Sequence, residues 1–302
     1  MKKFILSAFF IGLLASSASA QVLYKISGKD LKKPSYIIGT HHLANVGFID
    51  SINGLNDALA ATEQVCVEIA AEQMMQPENM QTVMNASTMK DGQTLTDLLS
   101  ADELKRLNAL LKELMGVDFS NPQVAAQMNT LKPSMLLNQL SIMLYMSKHP
   151  NDYAPNSQFD NYFQIKAKEN NEPVLSLETL EFQMNLLFNG TSIERQKESL
   201  MCLVDNRAFS EMMMEEMTKA YYAQNLNGLK ETMDLKMGTS CDGTPEEMKA
   251  LIDDRNTDWL TKMPKIMTDK PTFFAVGAGH LPGDKGVLNL LKEAGYTIEG
   301  IK

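Results

Sequence analysis

Two short histidine motifs near opposite ends of the chain carry the residues best suited to chemistry. The first is Gly-Thr-His-His at residues 39–42, and the second is Gly-Ala-Gly-His at residues 277–280. Each follows an apolar run typical of a buried strand, and a glycine allows a sharp turn where a side chain would clash. Because ligands of open α/β sheets bind outside the carboxyl ends of the strands, we expect His42 and His280 to converge there.

Glu68 adds a carboxylate to this pair of imidazoles. It stands near the end of a third apolar run, residues 64–69, and burying a carboxylate without a partner is costly. A divalent metal ion would be one partner, and an ion pair with Arg255 is the alternative. Two imidazoles and a carboxylate suit a divalent metal with open coordination positions. Such an ion activates water and polarises carbonyl groups, which is the chemistry of a hydrolase.

Four further polar residues are candidates for supporting roles in the same crevice. Glu178 ends a fourth strand-like run, and Asp160 either enters the site or caps the helix on which it lies. Arg255 either binds a substrate carboxylate or neutralises Glu68 or Glu178, since arginine suits bidentate carboxylate recognition. Asn256 is a candidate donor to a developing oxyanion. A purely structural role remains open for each of the four.

Hydrophobic patterns place these residues in a sheet covered by helices. Short apolar, β-branched runs predict strands near both ends of the chain, whereas helical patterns dominate the middle. The predicted fold class is therefore α/β (α+β mixed). A small mixed sheet is formed by both chain ends, and a large helical insertion, about residues 71–270, covers the strand C-terminal ends. The predicted strands are residues 22–26, 35–38, 64–69, 173–177, 272–276 and 296–298, and an early helix is predicted at residues 49–62.

Capping patterns predict where several helices begin and end. Residues 100–103 form a Ser-x-x-Glu capping box, and Gly116 stands where that helix should stop. A second box at residues 191–194 predicts the start of one long helix that continues past Met217. Residues 244–247 combine an N-cap threonine, a proline at the first helical position and a capping glutamate.

The first 20 residues are typical of a secretory signal peptide. Lys2 and Lys3 precede an apolar stretch, and Ala-Ser-Ala at residues 18–20 suits cleavage before Gln21. The stretch is shorter than the roughly 20 apolar residues that span a bilayer. We therefore expect an exported, periplasmic or extracellular protein with no stable membrane anchor, and an uncleaved anchor is the alternative. Residues 21–302 are expected to form a single domain.

Net charge and cysteine content restrict the partners. The chain has a formal net charge of −9 at pH 7 and no basic run, which argues against nucleic-acid binding. Cys66 lies in an apolar run, where burial is expected. Cys202 and Cys241 form a disulfide if the chain is exported and the fold brings them together, but sequence alone does not fix this pairing.

The motifs and several further segments resemble the TraB/GumN family, which is related to the Tiki metalloproteases. The resemblance covers about residues 22–302 and implies a metal-dependent centre of His42, His280 and Glu68. It implies a metal-dependent hydrolase of metallopeptidase type that acts on a peptide or protein substrate. The sequence does not identify the ion, and manganese, cobalt and zinc are the candidates. His41, beside His42, is a second candidate ligand. The further matching segments are Leu131-Lys132-Pro133, Leu177-Glu178-Thr179 with Gln183, Asp254-Arg255-Asn256 with Trp259, and residues 276–296.

Two other functions remain open on the sequence. A non-catalytic envelope module would hold a peptide, haem or a metal ion in the same crevice, and the methionine-rich helical region would offer it an adaptable surface. Relatives linked to peptide-pheromone shutdown or haem handling agree with this alternative. A scaffolding protein is the third hypothesis, but a scaffold has no need to bury the Glu68 carboxylate.

Overall fold

The computed structural model describes residues 21–74, 76–152 and 159–302. The predicted signal peptide, residues 1–20, lies outside the described residues. Within those three ranges, no helix has the length and apolar character needed to cross a membrane.

A six-stranded mixed sheet lies at the centre of the fold, as the sequence predicts. Its strands are β1 (Leu23–Ser27), β2 (Ser35–Thr40), β3 (Gln64–Val67), β4 (Val174–Ser176), β5 (Thr272–Gly277) and β6 (Thr297–Gly300). The strand order across the sheet is β4-β3-β5-β2-β1-β6. Strands β2, β3, β4 and β5 run parallel, and β1 is antiparallel to both of its neighbours. The carboxyl ends of the four parallel strands therefore meet at one edge.

The apolar runs form central strands that are buried on both faces of the sheet. In β3 all four residues are buried, and β5 buries every residue before Gly277. The register aligns Thr40 with Gly277 across β2 and β5. It also aligns Val67 with Ala275 on one side and Ser176 on the other. The residues that follow these strands consequently emerge at nearly the same level.

The helical part of the fold contributes several elements to this edge. Residues on α8, α9, α11 and α14 make hydrogen bonds to the strand ends or to the residues that follow them. This arrangement confirms the predicted helical insertion. The α-helices of the described residues are α1 (Leu55–Ala60), α2 (Ala71–Met74), α3 (Pro77–Ser87), α4 (Leu95–Leu98), α5 (Ala101–Met115), α6 (Pro122–Met128), α7 (Pro133–Lys148), α8 (Phe159–Glu169), α9 (Leu180–Asn189), α10 (Ile193–Asp205), α11 (Arg207–Tyr222), α12 (Leu226–Met233), α13 (Pro245–Met248), α14 (Asp254–Asp269) and α15 (Val287–Glu293).

Two large hydrophobic clusters stabilise the molecule. One surrounds the sheet and includes Phe159, Tyr221, Trp259 and Phe273. The other lies among α5, α6, α7 and α10 and is made mainly of leucines. Burial of apolar surface in these clusters is the dominant favourable term in folding. Of the helices that reach the strand ends, α8, α11 and α14 pack into the cluster around the sheet, and α9 packs into a third, smaller cluster.

Several predicted helix ends are confirmed. Ser100 and Thr244 cap α5 and α13 through complete capping boxes. Gly116 ends α5 with a φ of 75°, a left-handed conformation that glycine adopts without strain. Cys202 at the end of α10 forms the predicted disulfide with Cys241.

Two helix predictions are wrong in detail. The segment predicted as one helix at residues 49–62 contains a 3₁₀ turn, Val46–Ser51, and then α1. Gly54, with a φ of 70°, separates them. The long helix predicted from the box at residues 191–194 begins instead after Ser192 and breaks at Asn206. The Asn206 side chain donates to the Cys202 carbonyl, a local hydrogen bond that competes with helix continuation.

Candidate functional site

The carboxyl ends of four neighbouring strands present the predicted site residues. His42 follows β2, Glu68 follows β3, Glu178 follows β4 and His280 follows β5. Glu68 and Glu178 are also joined through the backbone, because the Glu178 N–H donates to the Glu68 carbonyl at 3.0 Å. The convergence expected from the two Gly-x-x-His motifs is therefore present in the fold.

Asp160 of α8 fixes the His42 ring. Its Oδ2 accepts a hydrogen bond from His42 Nδ1 at 2.7 Å, and its Oδ1 accepts another from the Thr40 hydroxyl. The charge of Asp160 raises the pKa of His42 to about 9. The His42 side chain is nevertheless 74% exposed, so solvent screens this ion pair. With Nδ1 bound to Asp160, Nε2 is the nitrogen left to contact a ligand.

Asn256 of α14 fixes His280 in a corresponding way. The Asn256 amide nitrogen donates to the carbonyls of His280 and Lys285, so its Oδ1 must be an acceptor. His280 Nδ1 lies 2.7 Å from this Oδ1 and therefore carries the proton. Burial lowers the pKa of His280 to about 4, which keeps the ring neutral with its lone pair on Nε2. Both Asn256 amide hydrogens are used on carbonyls, which places this residue in support of His280.

Glu68 is held at the centre of the site by a backbone donor. Its Oε1 accepts from the Gly277 N–H at 2.7 Å, and its Oε2 accepts from Gln183 Nε2 of α9 at 3.2 Å. Burial by itself would raise the pKa of Glu68. Electrostatic interactions with His280, Arg255 and His42, together with the Gly277 hydrogen bond, lower the pKa of Glu68 instead. Glu68 is therefore an ionised carboxylate within electrostatic reach of both imidazoles.

Arg255 of α14 joins three of the strand ends. Its Nε and NH2 donate to the two oxygens of Glu178 at 2.7 and 3.0 Å. NH2 also donates to Glu68 Oε2 at 2.5 Å, and NH1 donates to His280 Nε2 at 2.9 Å. The ion pair with Glu68 that the sequence left open as an alternative to a metal is thus present.

The backbone before α14 also supports Arg255. Residues Lys249–Asp253 form a π-helical turn, and the Leu251 carbonyl accepts from Arg255 NH1 at 3.3 Å. Such turns are frequent at functional sites because they redirect side chains within a helix. With this bond, all five guanidinium N–H groups of Arg255 have a partner.

Glu178 and Trp259 complete the buried floor of the site. The Glu178 side chain is only 1% exposed, and its Oε1 accepts from Trp259 Nε1 at 2.8 Å. The Trp259 ring lies 4.4 Å from the His280 ring, measured between centroids. Trp259 follows Arg255 by one helical turn, so both face the strand ends. The sequence does not predict this indole–carboxylate contact, although Trp259 lies in one of the segments that resemble the family.

His41 is directed away from Glu68. Its Nδ1 accepts from the Leu43 N–H at 3.1 Å, and its ring packs near Tyr145 and Tyr221. Burial lowers its pKa to about 4. The structure therefore places His41 in an aromatic cluster with Tyr145 and Tyr221.

Gly39 is required by close packing rather than by a turn. It lies within β2, and a Cβ atom there would stand 2.9 Å from the Ala278 Cα and 2.9 Å from Leu281 Cδ1. At Gly277 a Cβ would lie 3.2 Å from Glu68 Oε1 and 3.5 Å from His280 Cδ2. The two glycines of the motifs thus allow the β2 and β5 ends, and the residues after them, to approach each other.

In the described parts of the chain, no group of three or more His, Cys, Asp or Glu side chains is arranged to hold a metal ion. The donor chemistry nevertheless fits one. Both imidazoles are anchored through Nδ1 to an oxygen acceptor, which is the usual arrangement of metal-binding histidines. His42, Glu68 and His280 follow the ends of the neighbouring strands β2, β3 and β5, and Arg255 contacts Glu68 and His280.

These features define an α/β protein with a polar site at the carboxyl ends of four parallel strands, built from two anchored imidazoles, two carboxylates and an arginine. The chain matches the TraB/PrgY/gumN family over residues 22–300 and belongs to that family. No curated protein and no solved structure matches it.

Proposed function

We propose that this chain is an exported, metal-dependent hydrolase whose substrate is a peptide or protein. The observation that carries the proposal is the paired anchoring of His42 by Asp160 and His280 by Asn256, each at 2.7 Å through Nδ1. In both residues Nε2 remains as the ligating nitrogen, and Glu68 supplies the third donor. Family membership agrees with this assignment.

The bound divalent ion would polarise the substrate carbonyl and activate a water molecule. His42, His280 and Glu68 would hold it, and Glu68 is also the candidate general base. Asn256 keeps neutral His280 in the tautomer that leaves Nε2 free of a proton, whereas His42, held as an imidazolium by Asp160, would release its Nε2 proton when the ion binds. Arg255 balances the negative charge of Glu68 and Glu178, which would otherwise repel each other in a buried site.

Access to the site is through His42. Of the residues proposed to form the site, His42 has the most open side chain, with 74% of it exposed to solvent. Glu68 is 16% exposed, while Arg255 and Glu178 are at most 8% exposed. A substrate would therefore meet His42 first and Glu68 next, with Arg255 and Glu178 beneath.

A peptide-cleavage screen tests the proposal. The protein, purified without its first 20 residues, is loaded with zinc, manganese or cobalt and incubated with a diverse peptide library, and products are identified by mass spectrometry. We expect cleavage that Glu68→Gln reduces by at least about a hundredfold, within the range of general-base effects. Glu181→Gln, an exposed glutamate on α9, is the matched control. Absence of any product with all three ions would contradict a peptidase.

The second candidate is a binding module that captures an apolar ligand without turnover. Exposed methionines and other large apolar residues on α2, α3 and α9 favour it, because α9 also carries Gln183 at the site. Stoichiometric binding of a library peptide without product would support this function over hydrolysis. These exposed residues are Met74, Met80, Met84, Phe182 and Leu187.

A further inference from the structure

The guanidinium of Arg255 makes two sets of contacts, and NH2 takes part in both. In the first set, Nε and NH2 pair with both oxygens of Glu178, a side chain that is 1% exposed and also bound by Trp259. In the second set, NH1 contacts His280 Nε2 at 2.9 Å and NH2 contacts Glu68 Oε2 at 2.5 Å. The first set is an anchor within the core. The second set faces two residues that the proposed function assigns to a metal ion.

The second set of contacts involves the atoms that are proposed to bind the metal ion. The lone pair of neutral His280 is on Nε2, because Nδ1 carries the proton that is donated to Asn256. That same lone pair accepts from Arg255 NH1, and a lone pair cannot serve a guanidinium and a metal ion together. As long as Arg255 makes these bonds, two of the three proposed donors are engaged by a cation.

We propose that Arg255 is a competing cation that sets the metal affinity of this site. It holds Glu68 and His280 in position when it contacts them and must give up NH1–His280 and NH2–Glu68 when a divalent ion binds. Because the guanidinium is planar and rigid, it must shift as a unit, and its ion pair with Glu178 limits that shift and keeps its charge close to the site. The proposal rests on the proposed function, because it takes His280 and Glu68 as ligands.

Two effects of Arg255 lower the affinity of the site for a divalent ion: repulsion between the two positive charges, and the loss of hydrogen bonds when the ion binds. The ion must displace two charge-assisted hydrogen bonds, and it must then lie beside a permanent positive charge, since arginine does not deprotonate. Removing the guanidinium alone would leave Glu178 buried and unpaired, which destabilises the fold. The informative variant therefore removes both charges, as in Arg255→Met/Glu178→Gln, where the glutamine retains an oxygen for Trp259 Nε1.

Isothermal titration with zinc chloride and manganese chloride measures the effect on the protein lacking its first 20 residues. We expect the double variant to bind about tenfold to a hundredfold more tightly than the wild type, the range of a lost charged hydrogen bond. Adding His42→Ala to the double variant should abolish binding, which shows that the same site is measured. Arg106→Met/Asp205→Asn, which removes an arginine–aspartate pair between α5 and α10, is the matched control and should leave the affinity unchanged.

The outcomes separate this inference from the proposed function. Binding by the wild type with equal or weaker binding by the double variant would overturn the role of Arg255 and leave the metal site intact. Binding by the double variant alone would support it, as exclusion of the ion by Arg255. If neither protein binds zinc or manganese, the metal site itself fails.

A second variant is needed if circular dichroism shows that the double variant does not fold. Arg255→Lys keeps the charge but offers one ammonium in place of a planar fork, so it cannot hold Glu178, Glu68 and His280 together. It should release His280 and bind zinc more tightly than the wild type, though less tightly than a variant without the charge. An affinity equal to that of the wild type would count against the inference.

Discussion

Arg255 Nε lies 2.7 Å from Glu178 Oε1, and the two side chains form a bidentate ion pair that is almost inaccessible to solvent. This pair joins the start of α14 to the end of β4, and it brings Asn256 and Trp259 to the same strand ends. The geometry of the candidate site therefore depends on a buried ion pair that does not itself meet the substrate.

Loss of Glu178 should destabilise the whole fold. Glu178→Ala leaves Arg255 with only one carboxylate, and breaking a buried pair costs about 3–5 kcal/mol. Urea unfolding followed by circular dichroism should show this decrease in the free energy of unfolding. Glu181→Ala on the exposed side of α9 should change it by no more than about 0.5 kcal/mol. An unchanged urea midpoint for Glu178→Ala would mean that the pair adds nothing to stability.

Asp160 should matter for metal affinity more than for folding. Asp160→Asn keeps the size of the side chain but removes the charge that holds the proton on His42 Nδ1. Loss of such a supporting residue typically weakens metal binding about tenfold to a hundredfold. Titration with zinc measures the change, and Glu169→Gln, on the same helix but paired with Lys166, is the control. Equal affinities in the two variants would remove Asp160 from the site.

Gly39 should tolerate no side chain. Gly39→Ala places a Cβ against the Ala278 backbone, which cannot yield without moving the β5 end. Overpacking of this kind costs about 1–3 kcal/mol, so thermal unfolding should occur at a lower temperature. Gly279→Ala is the control, because its Cβ would meet only the flexible end of Met233. The packing argument fails if the two variants melt at the same temperature.

The Cys202–Cys241 disulfide should stabilise the helical region. It closes a loop with a sequence separation of 39 residues. The loop-entropy relation gives a stabilisation of about 4 kcal/mol for a loop of this length. Urea unfolding with and without a phosphine reductant measures it. The variant Cys202→Ser/Cys241→Ser should resemble the reduced protein and should not respond to reductant. A wild-type protein insensitive to reductant would contradict the prediction.

Sequence patterns predicted the sheet and the strands that form it well. Each strand in the structure overlaps a predicted run, because buried strands need continuous apolar residues and such runs are visible in one sequence. The convergence of His42, Glu68 and His280 followed from strand direction alone, since parallel strands bring their carboxyl ends together. The capping boxes that begin at Ser100 and Thr244 could also be predicted, because each is formed by residues only three positions apart in the sequence.

The remaining features depended on contacts between distant segments. Nothing local to Asp160 showed that it binds His42 rather than capping its helix, because that choice is decided by the packing of α8 on the sheet. The division of Arg255 between Glu178 and Glu68 likewise required three elements in place. The break at Asn206 is not visible in the flanking helical pattern, and it lies where Cys202 and Asn206 both contact the distant Cys241.

The claim that His42, Glu68 and His280 form a metal centre is tested most directly by metal content. The protein lacking residues 1–20 is purified, equilibrated with zinc, manganese or cobalt, desalted and measured by inductively coupled plasma mass spectrometry beside His42→Ala/His280→Ala. We predict about one divalent ion per wild-type chain and none above background in the double variant, with circular dichroism showing that both are folded. Equal metal content in the two proteins would contradict the claim, and so would the absence of metal from both the wild type and Arg255→Met/Glu178→Gln with all three ions.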